Sequence, residues 1–144
     1  MKAFTLDHFH MFTDDVEGTA LWYKDKFGAR AVRSLQSDGK PRVDLDFGSM
    51  RIYLAKLPDS SPRDPRTHFG PLPGLEHLGF IVEDVEQALA VLRAKGVEVL
   101  TEPIDIRPDV RFAFVRGPDD VRIEILQRGP LDYADPGEEI GDKV

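Results

Sequence analysis

Leu6-Asp7-His8-Phe9-His10-Met11-Phe12-Thr13-Asp14-Asp15-Val16-Glu17 can be laid over Leu75-Glu76-His77-Leu78-Gly79-Phe80-Ile81-Val82-Glu83-Asp84-Val85-Glu86 at an offset of 69 residues (8 to 77). Both segments read as a strand, then an acidic residue, then a helical pattern. Asp15 and Asp84 suit the N-cap, where a carboxylate accepts from free first-turn amides. Gln87 stands three residues after Asp84, in capping-box spacing. The spacing predicts helices over 16–27 and 85–95, each stopped by a glycine, Gly28 and Gly96, able to take a left-handed conformation. In the second helix Val85, Ala88, Leu89 and Leu92 share one face.

The back halves repeat more loosely. Met50-Arg51-Ile52-Tyr53-Leu54 matches Val121-Arg122-Ile123-Glu124-Ile125 at an offset of 71 (53 to 124). Each follows a strand and a turn: Val43 to Phe47 then Gly48-Ser49, and Arg111 to Arg116 then Gly117-Pro118-Asp119-Asp120, with Pro118 suited to position i+1. Further strands are predicted near 29–35 and 97–100. The expected architecture is α+β, two tandem βαβββ modules. They divide as residues 1–56, a Pro-rich connection at 57–74, residues 75–128, and an acidic tail at 129–144. The connection holds Pro58, Pro62, Pro65, Pro71 and Pro73 of the chain's 11 prolines, which excludes a helix. The tail reads as a solvated terminus, with a flap anchored by Tyr133 as the alternative.

The 144 residues carry 19 Lys plus Arg against 26 Asp plus Glu, a net charge of −7. That balance argues against nucleic acid or an anionic membrane as partner, since both are held by Lys and Arg. With no Cys, disulfides, thiolate catalysis and zinc–thiolate sites are excluded. The start carries no basic-then-apolar leader and no apolar run approaches membrane-spanning length, so a cytoplasmic protein is expected. Metal or acid–base chemistry must draw on carboxylates, phenols and four histidines, His8, His10, His68 and His77.

Strand alternation puts His8, His10 and Phe12 on one face, and His77 on the equivalent face of the second module. Arg51 and Tyr53 share a face on one closing strand, as do Arg122 and Glu124 on the other. The alternates Ile52, Leu54, Ile123 and Ile125 are expected to meet the helices. A lone strand histidine is ordinarily a hydrogen-bonded residue. Two at matched positions of a duplication, with a carboxylate closing the second copy, point instead to a divalent metal with open positions for substrate.

The pattern of His followed seven positions later by Asp in each module, with an apolar-Glu-apolar strand closing the second, resembles the vicinal oxygen chelate superfamily. That superfamily contains glyoxalase I, methylmalonyl-CoA epimerase, extradiol dioxygenases, fosfomycin-modifying enzymes and bleomycin-binding proteins. The resemblance covers about residues 5–128. It implies a cupped mixed sheet around a metal site, with His8, His77 and Glu124 at the metal-ligand positions and one divalent ion (Fe, Mn, Ni, Co or Zn). The fourth position, Glu or Gln in glyoxalase I and the epimerase, is Tyr53. The turn before the last ligand strand also departs from the family's Asp-Pro-Asp-Gly.

Tyr53 therefore reads as a weak ligand, a proton donor to an oxyanion, or a cavity wall, because a phenol with a pKa near 10 is a poor base at pH 7. His10 reads as the general acid/base or as a pocket-lining residue. The catalytic candidates are His10, Tyr53 and Glu124; Arg51, Arg122, Phe12 and Phe114 are the candidate substrate contacts. His68 reads as a loop histidine, and Asp44 and Asp46 as sheet-surface carboxylates beside Arg42.

The expected activity is glyoxalase-like lyase or isomerase chemistry, on a small substrate with adjacent oxygens, through a metal-stabilised enediolate. The alternatives are an Fe(II) extradiol dioxygenase, or a non-catalytic drug-binding protein. The dioxygenases of this superfamily use a Tyr about ten residues before the Glu, where this chain has Phe112 and Phe114. Whether modules pair within one chain or between two stays open, and a homodimer is expected because it would cover open sheet edges.

Overall fold

In the computed structural model, which describes residues 4–62 and 74–129, both predicted helices begin at their aspartates. Asp15 Oδ1 accepts from the Gly18 amide at 2.9 Å and Asp84 Oδ1 from the Gln87 amide at 3.0 Å. Helix α1 (Val16–Phe27) stops at Gly28, whose φ of 70° only glycine adopts cheaply. Helix α2 (Val85–Ala94) ends one residue earlier than expected, with Lys95 as its cap ahead of Gly96. Gln127 Oε1, from the far end of the chain, accepts from the Val85 amide at 3.1 Å. His68, the rest of the connection at 63–73, and the tail beyond 129 with Tyr133 lie outside the described residues.

The chain divides into two compact units, Met1–Glu76 with Arg116–Val121, and His77–Val115 with Arg122–Val144. The first sheet holds β1 (His8–Thr13), β2 (Arg30–Leu35), β3 (Pro41–Asp46) and β4 (Arg51–Lys56), ordered β1-β4-β3-β2. The second holds β5 (Leu78–Ile81), β6 (Val99–Arg107), β7 (Val110–Arg116) and β8 (Arg122–Arg128), ordered β5-β8-β7-β6. Each sheet is mixed, because β1 runs parallel to β4 and β5 parallel to β8 while the β2–β3, β3–β4 and β6–β7 pairs are antiparallel. Two four-stranded mixed sheets with two helices make the chain α+β.

Period-two alternation sorts each sheet into an apolar side and an open side. Val43, Leu45, Ile52 and Leu54 are buried with Ala20 and Tyr23 of α1. Ile123 and Ile125 are buried with Val85, Leu89 and Leu92 of α2. Each such aliphatic side chain contributes roughly 1.5–3 kcal/mol by leaving water. At the top of α1, Thr13 Oγ1 and Thr19 Oγ1 lie 3.1 Å apart, tying the end of β1 to the helix.

Two elements differ from expectation. Strand β6 runs to Arg107 rather than stopping near Leu100, straight through Pro103. A proline is tolerated there because β6 is the sheet edge, and its pairing with β7 slips in register around it. In the β7–β8 connection, Pro118 does not take the i+1 position. Its carbonyl accepts from the Val121 amide at 3.2 Å, and the residues between, Asp119 and Asp120, carry φ of 56° and 57°. Aspartate tolerates this left-handed region better than most side chains, and Asp120 is further held by Arg116 Nη1 at 2.7 Å.

Tyr23 is fully buried, and its hydroxyl is the one buried side-chain N or O atom lacking a hydrogen-bond partner among the described residues. Burial, seconded by the charge of Asp119, pushes the phenol well above its ordinary pKa. Tyr23→Phe removes that stranded donor while keeping the ring's shape, so it is expected to stabilise the fold by about 1 kcal/mol. Urea unfolding checks this, and a clear loss of stability would show that the hydroxyl has a partner.

Among the described residues, no helix is long and apolar enough to cross a membrane.

Candidate functional site

On the open side of the first sheet, strand register decides which side chains meet. The parallel β1–β4 pair sets His8 opposite Arg51 and His10 opposite Tyr53, and the β3–β4 pair sets Asp44 opposite Tyr53. Tyr53 is consequently a ring held between two planar groups. The His8 imidazole stacks on it at 3.9 Å, tilted 23°, and the Arg42 guanidinium carbon lies 3.7 Å from its centroid. Two groups that close to one centroid must cover opposite faces, so the order is His8, Tyr53, Arg42.

Arg42 is itself fixed. Its Nε donates to Asp44 Oδ1 at 2.7 Å and its Nη2 to Asp44 Oδ2 at 3.2 Å, while Ser34 Oγ donates to Oδ1 at 2.7 Å. Burial pushes the Asp44 carboxyl up, but the hydrogen bonds from Arg42 and Ser34 and the charges of Arg42 and Arg51 outweigh it, leaving its pKa lowered.

Asp7 closes the other end. His8 Nδ1 donates to Asp7 Oδ2 at 2.7 Å, and the Tyr53 hydroxyl points to the same oxygen at 3.5 Å. The His8 hydrogen bond is the main cause holding the Asp7 carboxyl below the usual range. His10 stacks on Phe12 at 4.7 Å and turns its edge to Tyr53 at 6.5 Å. Burial first, then the charges of His8 and Arg42, lower the His10 pKa. Arg51 and Phe12 are exposed, and Arg51 has no carboxylate within ion-pair distance among the described residues.

The second unit carries a pair. His77 Nε2 lies 3.5 Å from Glu124 Oε2, with both side chains mostly covered. Gly79 stands opposite Glu124 in the parallel register, and a Cβ built there would sit 3.4 Å from Oε2. The missing side chain leaves the carboxylate its space. Phe114 meets the His77 ring edge-on at 5.3 Å, and Phe112 meets Phe114 at 5.6 Å. The Arg122 guanidinium lies 3.6 Å above the Phe114 ring, so Phe114 is a buried wall beneath a cation. Both units thus place a guanidinium over a ring, with roles exchanged between strands: from β3 onto β4 in the first, from β8 onto β7 in the second.

The donor set suits a divalent cation in chemical type, being imidazole and carboxylate. Two donors bound to one ion at about 2.1 Å, at right to tetrahedral angles, stand about 3.0–3.4 Å apart, close to the His77–Glu124 separation. In the first unit, His8 has Nδ1 engaged by Asp7, which leaves Nε2 as its donor atom. Among the described residues no group of three or more His, Cys, Asp or Glu side chains is gathered as a metal cluster. A cleft of about 340 Å³ lies elsewhere, beside the start of α1, lined by Asp14, Asp15, Trp22 and Asp119 among others.

Sequence reasoning passed over Asp7, the placing of Arg42 on Tyr53, and the space left by Gly79. One signal was present: an acid directly precedes each repeat-related histidine, Asp7-His8 and Glu76-His77.

YwkD of Bacillus subtilis (strain 168), an uncharacterized protein, is 30% identical over 129 residues, covering 86% of this chain and 97% of that one. A lactoylglutathione lyase of Arabidopsis thaliana is 28% identical over 123 residues, which is 81% of this chain but 41% of the plant protein. This chain therefore spans about two fifths of that lyase's length. The crystal structure of a glyoxalase family protein from Enterococcus faecalis superposes with a TM-score of 0.69 at 23% identity, over 88% of this chain and all of that one. The family comparison matches residues 5–125, from just before β1 into β8. With the paired sheets and the repeat-related histidines, that match assigns the chain to the Glyoxalase/Bleomycin resistance protein/Dioxygenase superfamily.

Proposed function

We propose that the protein is a metal-dependent lyase or isomerase acting on a small substrate with adjacent oxygens. His77, Glu124 and His8 are its metal-ligating residues. The observation that carries this reading is the 3.5 Å approach of His77 Nε2 to Glu124 Oε2, at the position matching His8 and Tyr53 in the first unit. The likeness to a lactoylglutathione lyase supports the reaction class.

When bound, the ion supplies a Lewis acid that stabilises negative charge developing on a carbonyl oxygen. The protein's own groups divide the remaining work. Arg51, exposed and opposite His8, attracts an anionic substituent of the substrate. A ring nitrogen of His10 takes the proton from the carbon next to the carbonyl and returns it to the neighbouring carbon. Tyr53, held in its stack, serves as a hydrogen-bond donor rather than as base. Phe12, stacked on His10 in the first unit, and Phe114, under Arg122 in the second, are the aromatic side chains proposed to contact the substrate. The proposal carries with it a homodimer, as expected from the open sheet edges, and the cytoplasmic setting expected from the sequence.

The occupation of Tyr53 in its stack favours three donors over four. That suits a second reading, an Fe(II) ring-cleaving dioxygenase. Metal analysis of protein purified without added metal, followed by incubation with a hydroxyketone in D₂O, separates the two. Bound metal and deuterium at the α-carbon are expected. Oxygen uptake with catechols under Fe(II), without deuterium exchange, would favour the dioxygenase. Protein that holds no metal and takes none up on titration would overturn both.

A further inference from the structure

His8 and Tyr53 share one acceptor. Asp7 Oδ2 is 2.7 Å from His8 Nδ1 and 3.5 Å from the Tyr53 hydroxyl, while the two rings stack at 3.9 Å. An ionised carboxylate accepts and does not donate, so at 2.7 Å it fixes a proton on the facing imidazole nitrogen, while at 3.5 Å it offers the phenol a weaker acceptor. On the imidazole this selects the Nδ1–H tautomer and leaves the Nε2 lone pair free, against the preference of a free imidazole for Nε2–H. On the phenol it directs the hydroxyl toward Asp7. Arg42, over the other face of the ring, prevents Tyr53 from turning away.

We propose that Asp7 is a positioning residue that sets the His8 tautomer and draws the Tyr53 hydroxyl aside, so that the tyrosine clamps the histidine instead of competing with it for metal. The part concerning metal rests on the function proposed above; the tautomer does not. It also accounts for a phenol where a carboxylate ligand would otherwise stand, because Tyr53 acts through its ring face and its donated proton.

The test is long-range ¹H–¹⁵N correlation NMR of the metal-free full chain at mildly alkaline pH, with His8→Ala assigning the His8 ring. In the wild type the His8 proton is expected on Nδ1. Asp7→Ala shifts it predominantly to Nε2, whereas Asp7→Asn retains Nδ1–H because the amide oxygen still accepts. Calorimetric titration with Zn²⁺ is expected to show affinity about 10–100-fold weaker in Asp7→Ala, largely rescued in Asp7→Asn. Asp7 is exposed, so the melting temperature stays unchanged in both variants. An unchanged His8 tautomer in Asp7→Ala overturns the inference. Wild-type protein that takes up no Zn²⁺ overturns the proposed function instead, with the tautomer shift still deciding the role of Asp7.

Discussion

Glu124→Ala is expected to lower divalent-metal affinity by at least about a hundredfold, with the fold retained. The carboxylate stands on β8, an interior strand, with Ile123 and Ile125 turned to the opposite side and buried. Its removal therefore takes nothing from the apolar layer under α2. What is lost is the charged half of the His77–Glu124 pair, across the 3.5 Å where a cation would be shared. Loss of a residue that merely orients a ligand costs about 10–100-fold in metal affinity, and a direct donor exceeds that. A hundredfold corresponds to about 2.7 kcal/mol. Stability without metal should change by no more than about 1 kcal/mol, since a mostly covered carboxylate gives up its burial cost as well as its partner. Zn²⁺ calorimetry beside a urea melt checks both. Affinity within threefold of wild type would remove Glu124 from the metal site, and His77→Ala should then be equally silent.

What the sequence disclosed, and what it withheld, follows from the range of the interactions. The starts and stops of both helices were legible because Asp15, Asp84, Gly28 and Gly96 act within their own turns. The extent of β6 was not, because a proline normally ends a strand. Only the edge position, a property of the whole sheet, allows Pro103 to stay. The β7–β8 turn was legible as a turn, yet its geometry was misjudged. The left-handed conformation fell to Asp119 and Asp120, residues with no glycine to announce it.

The candidate site divides the same way. That His8, His10 and Tyr53 share a face follows from alternation alone. That Tyr53 is pinned between His8 and Arg42 depends on the register of three strands, which no local pattern states. The two aromatic rings expected to contact substrate differ in cover for the same reason. Phe12 is exposed, whereas Phe114, proposed for the same role, is nearly covered by Arg122 and the His77 ring.

Ile123→Ala should lower the stability of the fold by about 3–4 kcal/mol, by leaving a cavity under α2 that neighbouring side chains fill only in part. Ile123 is fully buried, on a strand flanked by both β5 and β7, so little room exists for collapse. Against a typical total of about 5–15 kcal/mol, that loss brings the unfolded chain within reach of mild denaturant. The same strand carries Glu124 one residue on, which makes the consequence testable through the metal. An ion that binds only the folded chain adds about 2.7 kcal/mol when its free concentration is a hundred times its dissociation constant. Zn²⁺ should therefore restore most of the stability of Ile123→Ala in a urea melt, and none of it in Ile123→Ala/Glu124→Ala. Equal rescue of both variants would mean that the ion binds elsewhere. No rescue of either would mean that the packing under α2 and the His77–Glu124 pair are lost together, because the pair then depends on Ile123 to hold β8 in place.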